Sequence, residues 1–269
     1  MTPAFIGYGF ANPTLAKLAA SAWGQSYVGS TGMLPGLIAP DAHVEVILQL
    51  GAPCSVVSGE RVIAPPRAMV YALRHGAVRL KPTGDNTMVA FRLAPVVASA
   101  VLRANLADCW DRPVALADLI GPEADRLMDR IADAPLEWAG EVLEAWLLAR
   151  LADWSSDDER QADLQQVLLW DVADQPVAVL ADQLGFTART LRRHCQAYAG
   201  LSPKQLTMSG RMLRACDLLL GSPGLPLAEA ALRLGFNDQS AFANAFRHYL
   251  GLTPTQLRAQ PLVFYERRR

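Results

Sequence analysis

No apolar run in this 269-residue chain approaches the ~20 residues that a bilayer-crossing helix needs. No CxxC pair occurs among its four cysteines, Cys54, Cys109, Cys195 and Cys216. Neither a zinc ribbon nor a disulfide framework is therefore indicated, and free thiols in a reducing compartment are expected. The start "MTPAFIGYGF" has no basic segment followed by an apolar one, the mark of an export signal, so the expected location is the cytoplasm. A GxSxG nucleophile elbow, a phosphate-binding P-loop and a Rossmann glycine pattern are also missing. No catalytic residue and no cofactor is assigned. His43 and Glu45, two apart on one stretch, with His75 further on, fall short of the three or four donors a metal ion takes, and no metal is expected.

Hydrophobic residues make up 51% of the chain, enough for one large core or two ordinary ones. The net charge of -1 hides an asymmetry. Residues 176–262 hold nine Lys and Arg against four acids, for +5, and residues 263–269 add +2, so residues 1–175 carry -8. An acidic front joined to a basic end is the split expected of a chain whose end meets a polyanion.

Texture changes along the chain as well. In "HVEVILQL", Val44, Val46, Leu48 and Leu50 alternate with His43, Glu45, Ile47 and Gln49, as on a strand with two distinct faces. Hairpin punctuation follows at Ser58-Gly59-Glu60, at His75-Gly76 and at Thr83-Gly84-Asp85-Asn86. Strands are expected between Met33 and Pro95, in a small antiparallel sheet or barrel. Beyond Pro95 helical spacing takes over, in "PEADRLMDRIADA" and "EWAGEVLEAWLLARLADW", up to the polar break "SSDDERQ". The fold class is α+β.

After that break the helices predicted are 163–172, the run from Pro176 to Gly185, 188–199, 203–220, "PLAEAALRLG" and 239–250. Two stretches are near copies. "LGFTARTLRRHCQAYAGLSP" begins at Leu184, and "LGFNDQSAFANAFRHYLGLTP" begins at Leu234. Gly185 and Gly235 are 50 apart, but Leu191 and Phe242, like Pro203 and Pro254, are 51 apart. One extra residue must lie between Phe236 and Phe242. The apolar pairs Leu191/Phe242, Cys195/Phe246, Tyr198/Tyr249 and Leu201/Leu252 are expected to pin each second helix onto its partner. Two short helices joined by a glycine-containing turn is the helix-turn-helix layout. The outward positions differ, with Arg189, Arg192, Arg193 and Gln196 in the first copy and Gln239, Ser240, Ala243 and Asn244 in the second. Arg, Gln and Asn make paired hydrogen bonds to base edges in the major groove.

These phrases, with "LAEAALRLGFNDQSAFANAFRHYLGLTPTQLR", resemble the DNA-binding module of AraC/XylS-type transcriptional regulators, over about a third of the chain. The resemblance implies two helix-turn-helix units, about 176–200 and 226–251, joined by a long helix over 203–220, within a DNA-binding domain at 161–262. It implies base contacts from Arg189, Arg192, Arg193, Gln239, Ser240 and Asn244, and the outward position of Gln196 makes it a further base-reading candidate. Relatives often carry Arg where this chain has Asn244, so the second unit is expected to read a different base or to add less affinity. Phosphate contacts are expected from Thr187, Ser202, Lys204, Arg247, Thr253 and Arg258. Two reading helices in successive major grooves lie about one turn, ~10 bp, apart.

The front looks like a domain found ahead of such modules in many bacterial regulators. It is expected as a β-rich, cupin-like, effector-binding domain at 1–110 and a helical linker or dimerisation region at 111–160, with a basic tail at 263–269. Trp110, Trp138, Trp146, Met69 and Met88 are candidates for a ligand pocket, although residues at strand or helix period more often pack in a core. Double-stranded DNA is the partner implied, with a small-molecule effector, a homodimer and RNA polymerase as further partners and no membrane. The competing reading is a cupin-like enzyme or ligand carrier whose tail binds nucleic acid for regulation.

Overall fold

A computed structural model describes residues 4–28, 38, 43–72, 77–109, 112–155, 158, 160 and 176–259. The expected helix at 163–172, the His75-Gly76 turn, Trp110 and the basic tail lie outside the described residues.

The front half contains β1 (Ala4–Tyr8), α1 (Pro13–Leu18), β2 (Ala19–Tyr27), β3 (Val44–Gly51), β4 (Cys54–Ser58), β5 (Arg61–Ile63), β6 (Ala68–Tyr71), β7 (Arg79–Pro82), β8 (Asn86–Leu93) and β9 (Val114–Ala115). The strands form two antiparallel sheets, ordered β1-β2-β8-β3-β6-β9 and β5-β4-β7. The alternation read in β3 is realised. Val44, Val46 and Leu48 join the main core with Val89 and Phe91 of β8, while Ile47 packs with Cys54 of the small sheet and with Met69 and Met88. The large sheet is thus buried on both faces, by helices on one and by the small sheet on the other.

Of the two expected hairpins whose turns are described, one forms. Ser58 pairs with Arg61 across a two-residue loop in which Gly59 takes φ +57. The strands on either side of 83–85, β7 and β8, do not pair with each other. β6 pairs with β3 and β9, β7 with β4, and β8 with β2 and β3. Turn residues mark where a chain reverses but not which sheet it enters. β8 is buried at nearly every position and so takes a central place between β2 and β3, whereas the short β7, with Lys81 exposed, goes to the small sheet.

Four helices cover the outer face of the large sheet: α2 (Pro95–Leu102), α3 (Leu116–Ile120), α4 (Glu123–Asp133) and α5 (Ala139–Arg150). Arg150 ties three of them together. Its Nε donates to the Val101 carbonyl at 2.7 Å and its Nη1 to Glu123 Oε2 at 2.8 Å, while Trp146 Nε1 donates to Glu123 Oε1 at 2.9 Å. Tyr8 reaches back from β1 to donate to the Leu136 carbonyl at 2.5 Å, and its ring lies where a Cβ on Gly140 would come within 2.8 Å. One core runs from Leu15 through β3 and β8 to Leu147, so residues 116–147 share it with the sheet.

The second half is helical: α6 (Val177–Gln183), α7 (Ala188–Ala199), α8 (Pro203–Gly221), α9 (Leu227–Arg233), α10 (Gln239–Leu250) and α11 (Pro254–Ala259). Side-chain caps open α7, α10 and α8. Thr187 Oγ1 accepts from the Thr190 N–H, Asp238 Oδ1 accepts from the Ala241 N–H at 2.7 Å, and Ser202 and Gln205 form a reciprocal capping box. Gly200 and Gly251 end α7 and α10 in the left-handed region, at φ +64 and +71. Among the described residues no helix is long and apolar enough to cross a membrane.

All four cysteines are free and buried. Burial pushes the thiol of Cys54 up to about 11 and those of Cys195 and Cys216 up to about 12. In the unfolded chain these thiols ionise near their ordinary value of 9.0, while the folded state holds their protons. Their contribution to stability is therefore complete below pH 9 and drains away as pH rises toward 12. The thermal midpoint should fall across that window. At neutral pH a thiol reagent should label the native chain slowly and the denatured chain at all four sites.

Candidate nucleic-acid interface

The two second helices, α7 and α10, are equivalent, and each has one buried and one exposed side. On α7, Leu191 and Cys195 pack with Leu180, Ala181, Leu201 and Leu206, which leaves Arg189, Arg192, Arg193 and Gln196 exposed. On α10, Phe242, Phe246 and Leu250 pack into a core with α8, which leaves Gln239, Ser240, Asn244 and Arg247 exposed. Ala243 is half-buried, and the side chain of Tyr198 lies outside the described set. Every base-reading candidate thus sits on the exposed side of its helix. One of them has a local tie, since Gln196 Nε2 donates to the Gly200 carbonyl at 3.2 Å.

The cap residues locate the extra residue. Thr187 precedes α7 and Asp238 precedes α10, an offset of 51, whereas Phe186 and Phe236 are offset by 50. The insertion is Asn237, in the turn itself. α10 therefore starts from a carboxylate cap where α7 starts from a hydroxyl. Sequence reasoning passed over Asp238, although an Asp one residue before a helical run is an N-cap signal.

The phosphate candidates divide in two. Lys204 and Arg247 are exposed. Thr187, Ser202 and Thr253 serve as helix caps, with Gln256 N–H donating to Thr253 Oγ1 at 3.2 Å. Their hydroxyls stand at helix N-termini, where backbone N–H groups and the helix dipole favour an anion. Arg258 is half-buried and gives its Nη2 to the Leu225 carbonyl at 2.5 Å, so much of its donor capacity is used in bracing the loop before α9.

The front half touches both α7 and α10. α2, apolar all round, has one side in the front core and packs its other against α7, as does the short 3-10 turn at Leu106–Cys109. The Ala77 N–H donates to the Leu250 carbonyl at 2.8 Å, at the last residue of α10. These contacts leave the exposed reading residues uncovered.

Between the two sheets lies a small cavity, about 20 Å³, room for a single water. Met69 and Met88 line it, with Trp23, Cys54 and the polar Glu45 and Gln49. Of the other proposed lining residues, Trp146 is in the helical core against Phe91 at 5.6 Å, and Trp138 is 54% exposed at the start of α5. The helical spacing of Ala139, Leu143, Trp146 and Leu147 places Trp146 inward, whereas Trp138 precedes α5 as its N-cap and does not share that face. Glu45 is 3.5 Å from Arg92 Nε, and His43 Nδ1 is 3.5 Å from Arg92 Nη2. A guanidinium thus stands beside the carboxylate and the imidazole.

Two helix pairs with exposed Arg, Gln and Asn on their second helices, joined by one helix, define a tandem helix-turn-helix DNA-binding module. Comparison with known proteins agrees: residues 180–260 match the helix-turn-helix domain family. The chain is 40% identical over 80 residues to the HTH-type transcriptional regulator VirS of Mycobacterium tuberculosis, covering 30% of this chain and 23% of VirS. It is 30% identical over 144 residues to the HTH-type transcriptional activator RhaS of Salmonella arizonae, covering 49% of this chain and 51% of RhaS. The chain thus spans about half of RhaS and under a quarter of VirS. A structure of ToxT from Vibrio cholerae covers 89% of this chain at 10% identity with a TM-score of 0.43, a loose likeness.

Proposed function

We propose that the chain is a sequence-specific transcriptional regulator that reads two adjacent major grooves with α7 and α10. The observation that carries this is the sidedness of both helices, with Leu191 and Phe242 buried and Arg189, Arg192, Arg193, Gln239, Ser240 and Asn244 exposed. Of these, the arginines make the bidentate contacts to guanine, and Gln239 and Asn244 those to adenine. Lys204, Arg247 and the capped N-termini at Thr187, Ser202 and Thr253 hold phosphates and set the register. The protein works in the cytoplasm, where promoter DNA and RNA polymerase are met. The front half is the place for a small-molecule effector or for self-association.

The test is selection of bound duplexes from a random-sequence library by the full chain, followed by titration against salt. Enrichment of a two-element motif supports the proposal. Weak binding without sequence preference sinks it. On the selected site, Lys204→Ala should weaken all sequences alike and reduce the magnitude of the salt slope by about 1, without changing the preferred bases.

A further inference from the structure

Arg211, at the middle of α8, is 4% exposed. Its Nε donates to the Leu234 carbonyl at 2.5 Å, and its Cζ stands 3.7 Å from the centroid of the Phe236 ring. Between these two, Gly235 takes φ +74, and a Cβ added there would lie 3.0 Å from a guanidinium nitrogen. One buried cation thus holds three consecutive residues of the turn between α9 and α10. Stability alone does not account for it, because replacing a buried charge by a well-packed apolar side chain is often neutral or stabilising. A planar guanidinium does what an apolar side chain cannot: it fixes a carbonyl and an aromatic face at once.

The effect is carried onward by rings. Phe236 packs on Phe242 at 5.4 Å, and Phe242 on Phe246 at 5.5 Å, so the turn is coupled to the buried side of α10. The first unit is built differently. A Cβ on Gly185 would meet nothing within 4 Å, and Phe186 rests on His194 of its own unit. Met212, Ala215, Cys216 and Leu219 of α8 belong to the second unit's core, while the first unit's core takes Leu206 near the start of that helix. α8 and the second unit therefore form one block.

We infer that Arg211 is a positioning residue that fixes the second reading helix on the linking helix, and thereby sets the spacing between the two DNA elements the chain accepts. This rests on the DNA-reading function proposed above. The experiment is the same selection from a random duplex library, run with full-length wild type, Arg211→Met and Phe236→Leu. Wild type should enrich two elements at one spacing. Both variants should keep the first element and either lose the second or accept it at several spacings, with binding to the two-element site weakened by roughly a hundredfold as the second contact ceases to add avidity. The same two-element motif at the same single spacing from both variants overturns the inference. If Arg211→Met loses both elements together, Phe236→Leu decides: a relaxed spacing supports the inference and an unchanged one overturns it. No enrichment by wild type would sink the DNA reading itself and this inference with it, an outcome distinct from an unchanged motif in the variants.

Discussion

Phe242→Ala is expected to destabilise the second helix-turn-helix unit by about 3–5 kcal/mol and to remove its DNA element from the selected site while the first element remains. Phe242 is fully buried between Phe236 and Phe246 and is the first large side chain of α10 to enter the core. Its removal leaves a ring-sized void that the flanking rings cannot both fill. The first unit has its own core of Leu180, Leu191, Cys195, Leu201 and Leu206, none of which appears in the second. Calorimetry should show a lowered transition, and binding should fall to the level of one element. An unchanged melt with both elements retained would mean that this side of α10 is not what holds the reader in place.

The second large effect is expected from removing the charge of α7. Arg189, Arg192 and Arg193 are exposed, whereas Leu191 and Cys195 are turned inward, so replacing all three arginines by Ala should leave the fold intact. A good bidentate base contact is worth about 1–3 kcal/mol, so binding to the selected site should drop by about two orders of magnitude or more. Arg192→Ala alone should cost ~1–3 kcal/mol and relax the preference at one base pair. Competition binding on single-base variants of the site measures both. If the triple variant bound with the parent's affinity and selectivity, α7 would not be a reading helix.

The helix-turn-helix half was far more legible than the front. Its helices are announced by glycines and apolar positions that occur twice, so each copy checks the other, and the bounds read for 188–199 and 239–250 match α7 and α10. The position of the extra residue needed coordinates, because either Asn237 or a residue after it satisfied the spacing. β3 was legible because it alternates, and Ser58-Gly59-Glu60 because a two-residue loop forces a hairpin. β2 was not, since "AASAWGQSY" has no β-branched residue and only two aromatics among small and polar ones, and β1 is only five residues long. Strand partners were illegible for a different reason: which sheet β7 joins is decided by burial across the whole front half. Arg211 was invisible as a site residue because its neighbours in space, Leu234 to Phe236, lie more than twenty positions away.

The contacts made by α2 and Ala77 bear on how the protein can be divided. A break in the chain just before Pro176 looks like a natural place to separate reader from front. Yet α2 is common property of the front core and α7, and the donor for the Leu250 carbonyl is Ala77. A reader excised at Pro176, or grafted onto a foreign partner, would leave both of those supports behind. It would keep the exposed side chains from Arg189 to Asn244 and lose the frame against which α7 and the end of α10 rest.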